Sequence, residues 1–313
     1  MGDSIAITAF AKINWSLRVL GQRADGYHEV DTLLQTVSLH DTITIDRVAG
    51  ETIQLWCDDR SVPADETNLV WRAATALRER YALSAGVRMR LEKRIPTEAG
   101  LGGGSSDAAA TLIALVYLWG IESSAEELTQ IAESLGSDVP FFLHGGTVRA
   151  VGRGNVTEQL EDAPEQHLLI VKPTASVSTT KAYAALNSPA LTSSDSKPIL
   201  SRSQANDFSD SFDLHGLHND FEPVVFKSEP EIERVKNALL KSGARAAMLA
   251  GSGSAVFGIF DNQNAQERAI QAIELETGWR AFPCKTVGRS QHQRAFGPAG
   301  RTVARLFGEN AGA

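Results

Sequence analysis

Four glycines in five positions, Gly100, Gly102, Gly103 and Gly104, precede Ser105, Ser106 and Asp107 and an uninterrupted helical run over residues 108–119. Glycine adopts backbone angles closed to other residues and carries no Cβ to hold a ligand at a distance. The helix that follows adds the positive end of its dipole, so the natural guest of such a loop is an anion, phosphate above all. Two better-known phosphate loops do not fit. The P-loop needs Gly-x4-Gly-Lys-Ser/Thr, and no lysine lies between Gly100 and the end of the helical run. The dinucleotide fingerprint needs glycine or alanine where Ser105 stands, after a buried parallel strand; here the preceding stretch, Arg88-Met89-Arg90-Leu91-Glu92-Lys93-Arg94, alternates and is half solvated. On this stretch alone, a glycine-rich turn with a serine N-cap stays open beside the phosphate loop.

Other residues offer acid–base and recognition chemistry. Over residues 11–20 the pattern alternates strictly, with Ile13, Trp15, Leu17 and Val19 on one strand face and Lys12, Asn14, Ser16 and Arg18 on the other. Lys12 and Asn14 therefore project together, into a site or onto a plain solvated face. Asp138 comes two residues before Pro140, which bars simple helical continuation and biases Val139 towards an extended conformation. The carboxylate sits at a fixed joint, either as a turn or capping group or as a reactive one. Tyr27 and His28 follow the turn pair Asp25-Gly26 as two flat side chains on one loop, suited to stacking on a base or to ordinary packing. Ala250-Gly251-Ser252-Gly253-Ser254 is only faintly like a serine-hydrolase elbow, because a serine holds the final glycine position. His144, His167, His215, His218 and His292 lack metal-ligand spacing and read as surface or core histidines, so no metal-binding residue is assigned.

A scaffold must bring these residues together. Strand-like alternation at 30–39, 42–45, 52–57 and 87–92 surrounds a helix capped by Asn68, with Leu69, Ala73, Ala76, Leu77 and Tyr81 at helical spacing. A capping-box pattern at Ser124-Ala125-Glu126-Glu127 starts another helix that Gly136 ends. Strands, helix, strand, loop, helix is an α+β order, with helices on one face of a mixed sheet. Further on, strands at 147–151 and 168–172, a short helix at 182–186 and a helix–strand–strand–helix run with a last strand near 284–287 form a half of ferredoxin-like order. Residues 188–211 contain eight serines and no apolar period, which reads as a mobile surface loop, and the last twenty or so residues read as frayed.

Composition bounds the function. At 313 residues, 42% hydrophobic and 22% charged, the chain has the make-up of an ordinary globular protein with ample length for a core. A net charge of −8 argues against nucleic acid or an anionic membrane surface as partner, so positive charge for a polyanionic ligand must be local. Cys57 and Cys284 are too few for a disulfide framework, which suits a reducing cytoplasm. The longest apolar segment, residues 112–119, falls far short of the ~20 residues that span a bilayer.

The stretch Pro96-Thr97-Glu98-Ala99-Gly100-Leu101-Gly102-Gly103-Gly104-Ser105-Ser106-Asp107-Ala108-Ala109 resembles the central motif of the GHMP kinases, small-molecule kinases that hold ATP phosphates without a Walker lysine. Ala11-Lys12-Ile13-Asn14-Trp15 and Leu249-Ala250-Gly251-Ser252-Gly253-Ser254 resemble the family's other two motifs, so the likeness covers most of the chain. It implies two domains, residues 1–163 with a fold like domain 2 of ribosomal protein S5 and residues 164–313 ferredoxin-like, with the active site in the cleft between them. It implies ATP and Mg2+ as cofactors, with residues 96–106 around the ATP phosphates, Asp138 as the base and Lys12 as the cation beside it. Gly21-Gln22-Arg23-Ala24-Asp25-Gly26-Tyr27-His28, Leu135-Gly136-Ser137-Asp138-Val139-Pro140-Phe141-Phe142 and Asn219-Asp220-Phe221-Glu222 resemble the members whose acceptor is a small-molecule cytidine-diphosphate substrate, with Asn14, Tyr27, His28, Gly251 and Ser252 as its contacts. Homoserine, mevalonate or sugar kinases, and a non-catalytic nucleotide-binding regulator, are the alternatives. A cytoplasmic monomer or homodimer is expected. Glu98, Ser137 and Ala250 depart from the residues most common in the family at their positions, and none removes a group the chemistry requires.

Overall fold

The computed structural model of the chain describes residues 3–186, 188–191 and 214–308. Its strands form two sheets. In the first, β1 (Ser4–Gln22) and β2 (His28–Val48) run antiparallel over their whole length. The two strands expected at 30–39 and 42–45 are therefore one. No glycine or proline separates them, and the polar Asp41 between them is fully buried, its carboxylate accepting the backbone N–H groups of Arg94 and Ile95. The length of β2 lets it serve two neighbours: its start pairs with β5 (Thr147–Gly152) and its end with β4 (Gly86–Glu92). β3 (Ile53–Cys57) extends one edge alongside β4, and β6 (Val156–Gln159) pairs with β5.

Helices cover one face of this sheet. α1 (Leu69–Arg80) starts at Asn68, whose side chain accepts the Val70 N–H, as expected. α2 (Gly103–Leu118) lies between the sheet and its neighbouring helices and is buried nearly all round, which its run of Ala, Leu, Ile and Val requires. α3 (Ala125–Leu135) carries the expected capping box, worth about 1 kcal/mol. α4 (Val139–His144) differs from expectation, because Val139 is helical rather than extended. Pro140 lies in the first turn, where its missing N–H is not needed, and Phe141, Phe142 and Leu143 draw the turn into the core.

The second sheet has the order β11–β7–β10–β9, built from β7 (His167–Lys172), β9 (Ala246–Leu249), β10 (Val256–Phe260) and β11 (Arg280–Lys285). With α5 (Thr179–Ala185), α6 (Glu222–Ser228) and α7 (Pro230–Lys241) between β7 and β9, and α8 (Gln263–Ile273) between β10 and β11, the order is the ferredoxin-like one. Both faces of this sheet are buried. Leu169, Val171, Val256 and Phe260 pack with residues of α6, α7 and α8 such as Val225, Val235, Leu239 and Ala269. Leu168, Ile170, Phe257 and Ile259 pack against Ala11, Ile13, Trp15 and Val37 of the first sheet. The two halves therefore share a hydrophobic core.

Two segments cross between the halves. β8 (His218–Asn219) leaves the second half and joins the first sheet beside Ser16 and Leu17. Much of the last twenty or so residues, expected to be frayed, is helical: α9 (Arg289–Ala295) leads into the stretch and α10 (Gly300–Phe307) lies within it. Phe296, Val303, Leu306 and Phe307 are buried in the core of the first half, and His292 donates to the Phe142 carbonyl at 3.0 Å. The apolar residues of this stretch are widely spaced, and their partners lie some 150 positions earlier, so the local pattern understates their burial. Of the serine-rich stretch, residues 192–211 lie outside the described residues. Residues 188–191 run beside Gln22, with the Leu191 N–H donating to its carbonyl.

Candidate active site

A cleft of about 760 Å³ opens where β1, β2, the start of α2, the start of α4, α5 and the turn after β9 meet. Lys12 is 4% exposed and Asn14 3%, so neither belongs to a solvated strand face. The Lys12 ammonium donates to Asn14 Oδ1 at 2.9 Å and stands 3.9 Å from Asp138 Oδ2. Burial pushes the Lys12 ammonium below the usual lysine range, with the Asp138 charge opposing. Asp138 is the N-cap residue of α4 yet makes no capping hydrogen bond, and its side chain, 39% exposed, faces the cleft.

The glycine motif does two jobs. Gly100 and Gly102 have φ of +75° and +71°, and each approaches another backbone or ring too closely for a Cβ. At Gly100 the Cβ would strike the Ala250 carbonyl, and at Gly102 it would stand 2.8 Å from the Phe142 ring. α2 starts at Gly103, so Gly103, Gly104, Ser105 and Ser106 belong to the helix rather than to a loop before it. Its N-cap is Gly102, without a side-chain cap, which removes the serine-capped turn as an account of the motif. The first-turn N–H groups thus face outward with the positive end of a sixteen-residue helix behind them. Lys12 N–H donates to the Leu101 carbonyl at 3.0 Å, which fixes the motif to β1.

Behind the motif lies a buried charge cluster. Lys93 Nζ contacts Asp41 and Asp107, both carboxylates being almost fully buried, and Asp107 Oδ1 meets no hydrogen-bond partner. Burial, with Asp41 beside it, pushes Asp107 up to about 7.

Two aromatic pairs stand at the other end. The His28 ring stacks on Tyr183 of α5 with centroids 4.6 Å apart, and the Arg153 guanidinium lies 3.6 Å over the Tyr27 ring. Tyr183 in turn meets Phe221 edge-on at 4.8 Å. Gly251 and Ser252 form the facing wall, and a Cβ on Gly251 would stand 3.2 Å from Lys12 Nζ. Asn219 holds this wall, its amide donating to the Leu249 and Gly251 carbonyls, while Asp220 accepts the Val19 N–H. The Asn219-Asp220-Phe221-Glu222 stretch therefore ties the Gly251 turn to β1.

Of the residues singled out in the sequence, Lys12, Asn14, Tyr27, His28, Gly100, Gly102, Ser105, Asp138, Gly251 and Ser252 line this one cleft. Pro96, Thr97, Glu98, Ala99, Leu101, Gly103, Gly104 and Ser106 do not. Ala99 and Leu101 turn into the shared core, and Ser106 is buried within α2. Glu98 reaches Ser176 Oγ on the second half, so the unusual residue in the motif makes a bridge. Sequence reasoning missed Thr32, Arg153, Thr179, Thr180, Tyr183 and Phe221 as cleft residues. It also placed Leu17 opposite Lys12. The β1 register slips between Asn14 and Ser16, and after this bulge Leu17 rather than Ser16 lines the cleft.

The profile of the GHMP kinases N terminal domain matches residues 68–146, and that of the GHMP kinases C terminal domain matches residues 198–277. A protein of Solibacter usitatus named 4-diphosphocytidyl-2-C-methyl-D-erythritol kinase is 43% identical over 88% of this chain and 87% of its own length. Its namesake from Syntrophotalea carbinolica is 40% identical over 88% of this chain and 97% of its own. A crystal structure of 4-(cytidine 5'-diphospho)-2C-methyl-D-erythritol kinase superposes with a TM-score of 0.74 at 34% identity, covering 91% of this chain and all of that one. A homoserine kinase from Cytophaga hutchinsonii shares the fold, with a TM-score of 0.68 at 22% identity over 93% of this chain and 97% of its own. With matches to both family domains and relatives of this identity along most of its length, the chain belongs to the GHMP kinase family, in the branch named 4-diphosphocytidyl-2-C-methyl-D-erythritol kinases.

Proposed function

We propose that the protein transfers the γ-phosphate of ATP to the 2-hydroxyl of 4-diphosphocytidyl-2-C-methyl-D-erythritol, a step of the non-mevalonate route to isoprenoid precursors. The observation that carries this reading is the approach of Lys12 Nζ to Asp138 Oδ2, 3.9 Å apart, beside the uncapped start of α2 and facing an aromatic end of the same cleft. Residues 1–163 bring the glycine motif, Lys12 and Asp138, and residues 164–313 bring Tyr183 and the Gly251 turn.

The phosphates meet the start of α2 where Gly102 and Ser105 line the cleft, at the positive end of the helix, with the Ser105 hydroxyl beside them. Asp138 Oδ2 accepts the proton of the attacking hydroxyl, whose oxygen bonds to the γ-phosphorus as the bond to the ADP oxygen breaks. Lys12 meets the charge spreading over the transferring phosphate oxygens. Tyr27, His28 and Tyr183 hold the cytosine by stacking and edge contacts, the base replacing the present His28–Tyr183 stack and the Arg153–Tyr27 contact. Among the described residues no three His, Cys, Asp or Glu side chains gather as metal ligands. The Ser105 hydroxyl and the Asp138 carboxylate are donors enough for a Mg2+ that takes its other ligands from phosphate and water. Bound there, the ion would neutralise phosphate charge.

A coupled ADP-release assay with this acceptor, alongside homoserine and mevalonate, tests the assignment. The expected result is turnover of the diphosphocytidyl compound at the highest kcat/KM. A higher kcat/KM on homoserine or mevalonate would overturn the choice of acceptor.

A further inference from the structure

Lys12 Nζ does not reach the cleft on a free tether. It donates to Asn14 Oδ1 at 2.9 Å, Asn14 Nδ2 donates to Thr32 Oγ1 at 2.8 Å, and Thr32 Oγ1 donates to the Ser16 carbonyl at 2.7 Å. All three side chains are at least nine-tenths buried, and all three line the cleft.

The order of donors along this chain is forced. A backbone carbonyl only accepts, so the single hydroxyl proton of Thr32 is committed to Ser16. Thr32 Oγ1 can then offer Asn14 only a lone pair, and Asn14 must turn its NH2 group towards it. The Asn14 carbonyl oxygen is left facing Lys12, which as an ammonium needs an acceptor there. The reverse amide orientation would set N–H groups against N–H groups at one end and two lone-pair oxygens together at the other, all away from water. The second Asn14 N–H is left free for a ligand in the cleft. The Ser16 carbonyl sits where the pairing of β1 with β2 slips by one residue, which places it within reach of the Thr32 hydroxyl.

We infer that Thr32 is a positioning residue for phosphoryl transfer, fixing the Asn14 amide and through it the Lys12 ammonium against the phosphate being transferred. The inference rests on the kinase reading above but not on which alcohol is phosphorylated. Thr32 makes no hydrogen bond to Lys12 or Asp138, so its hydrogen-bonded route to the reacting groups runs through Asn14.

Three proteins test it: wild type, Thr32→Val, which keeps the branched shape and loses the hydroxyl, and Thr32→Ser, which keeps the hydroxyl and loses the methyl. Each is assayed for kcat and for KM of both substrates, with Tm measured alongside. Thr32→Val is expected to lose about 10- to 100-fold in kcat, the scale of a misplaced reacting group, with KM for ATP unchanged within about twofold. Thr32→Ser is expected to stay within about threefold of wild type, the residual cost of a less constrained rotamer. Wild-type kcat in Thr32→Val, or an equal loss in both variants, would overturn the inference, because the first says the hydroxyl is idle and the second that the strand needs the methyl. Thr32→Ala, read by the same kcat criterion, replaces the valine variant if that one does not fold. If the wild type turns over homoserine or mevalonate instead of the diphosphocytidyl compound, the acceptor assignment falls and the relay is measured with the alcohol that is used.

Discussion

Lys12 works with almost no water around it. Its ammonium is held by one neutral acceptor and one carboxylate at 3.9 Å, and burial pushes it below the usual lysine value of 10.5. The charged form predominates only below that lowered value, so the Lys12 contribution to transfer is present at lower pH and is lost as pH rises through it. A kcat/KM profile over about pH 6 to 10, which reports the free enzyme, is expected to fall on its alkaline side before an ordinary lysine would titrate, and Lys12→Arg, which stays charged, should abolish the fall. Asp138→Ala is expected to keep ATP binding by calorimetry while transfer drops roughly 10²–10⁴-fold, the range for a general base; an unchanged rate would remove Asp138 from the chemistry. At this scale the sequence was partly legible. Types and spacing marked Lys12, Asn14 and Asp138, but whether strand side chains face water or a cleft depends on what packs over the strand, and that is set elsewhere in the chain. Tyr183 and Arg153 carried no local signal at all, since their partners His28 and Tyr27 lie more than a hundred residues away.

Elements set the precision of these contacts. The glycine motif is a joint at which a strand, a helix start and the Gly251 turn touch backbone to backbone. Gly102→Ala is expected to cost about 1–3 kcal/mol in chemical denaturation, because the new methyl meets the Phe142 ring in a left-handed backbone conformation. Directly beneath, one ammonium faces two carboxylates in the Asp41, Lys93 and Asp107 cluster, and Asp107 is raised to about 7. A raised carboxylate means the folded state binds its proton more tightly than the unfolded chain does. Asp107 therefore withdraws stability as pH rises from about 4 through about 7. Asp107→Asn removes that titration, so its Tm relative to wild type is expected to be highest at about pH 8 and to shrink towards about pH 5. A constant offset across that range would mean that Asp107 does not titrate there. Helix starts such as Asn68 and Ser124 were readable because a cap is a local bond. The start of α2 was not. Glycines at 103 and 104 lower intrinsic helix propensity, and only the burial of the rest of α2 carries the helix back over them.

For the whole molecule, the two sheets share a core, β8 crosses from one half to the other, and the C-terminal helices return to the first half, α9 against β1 and α4 and α10 against α2 and α4. Phe296→Ala is expected to cost about 3–5 kcal/mol, as for a large aromatic removed from a core, and calorimetry should still show one transition for both halves. Two separate transitions would show that the halves are stabilised independently. The ferredoxin-like order was visible in the succession of elements, because each strand and helix announced itself locally. The return of α9 and α10 was not, because the hydrophobic surface they complete lies at the far side of the first half. That return also has a temporal side. While the protein is being made, the first 160 residues leave the ribosome before Phe296 to Phe307 exist, so the part of the core beside α2 and α4 that these residues complete stays open until they emerge. The helix that Asp138 starts thus gains its last packing partners late in synthesis, and a growing chain stalled before about residue 290 would leave apolar surface of the first half uncovered.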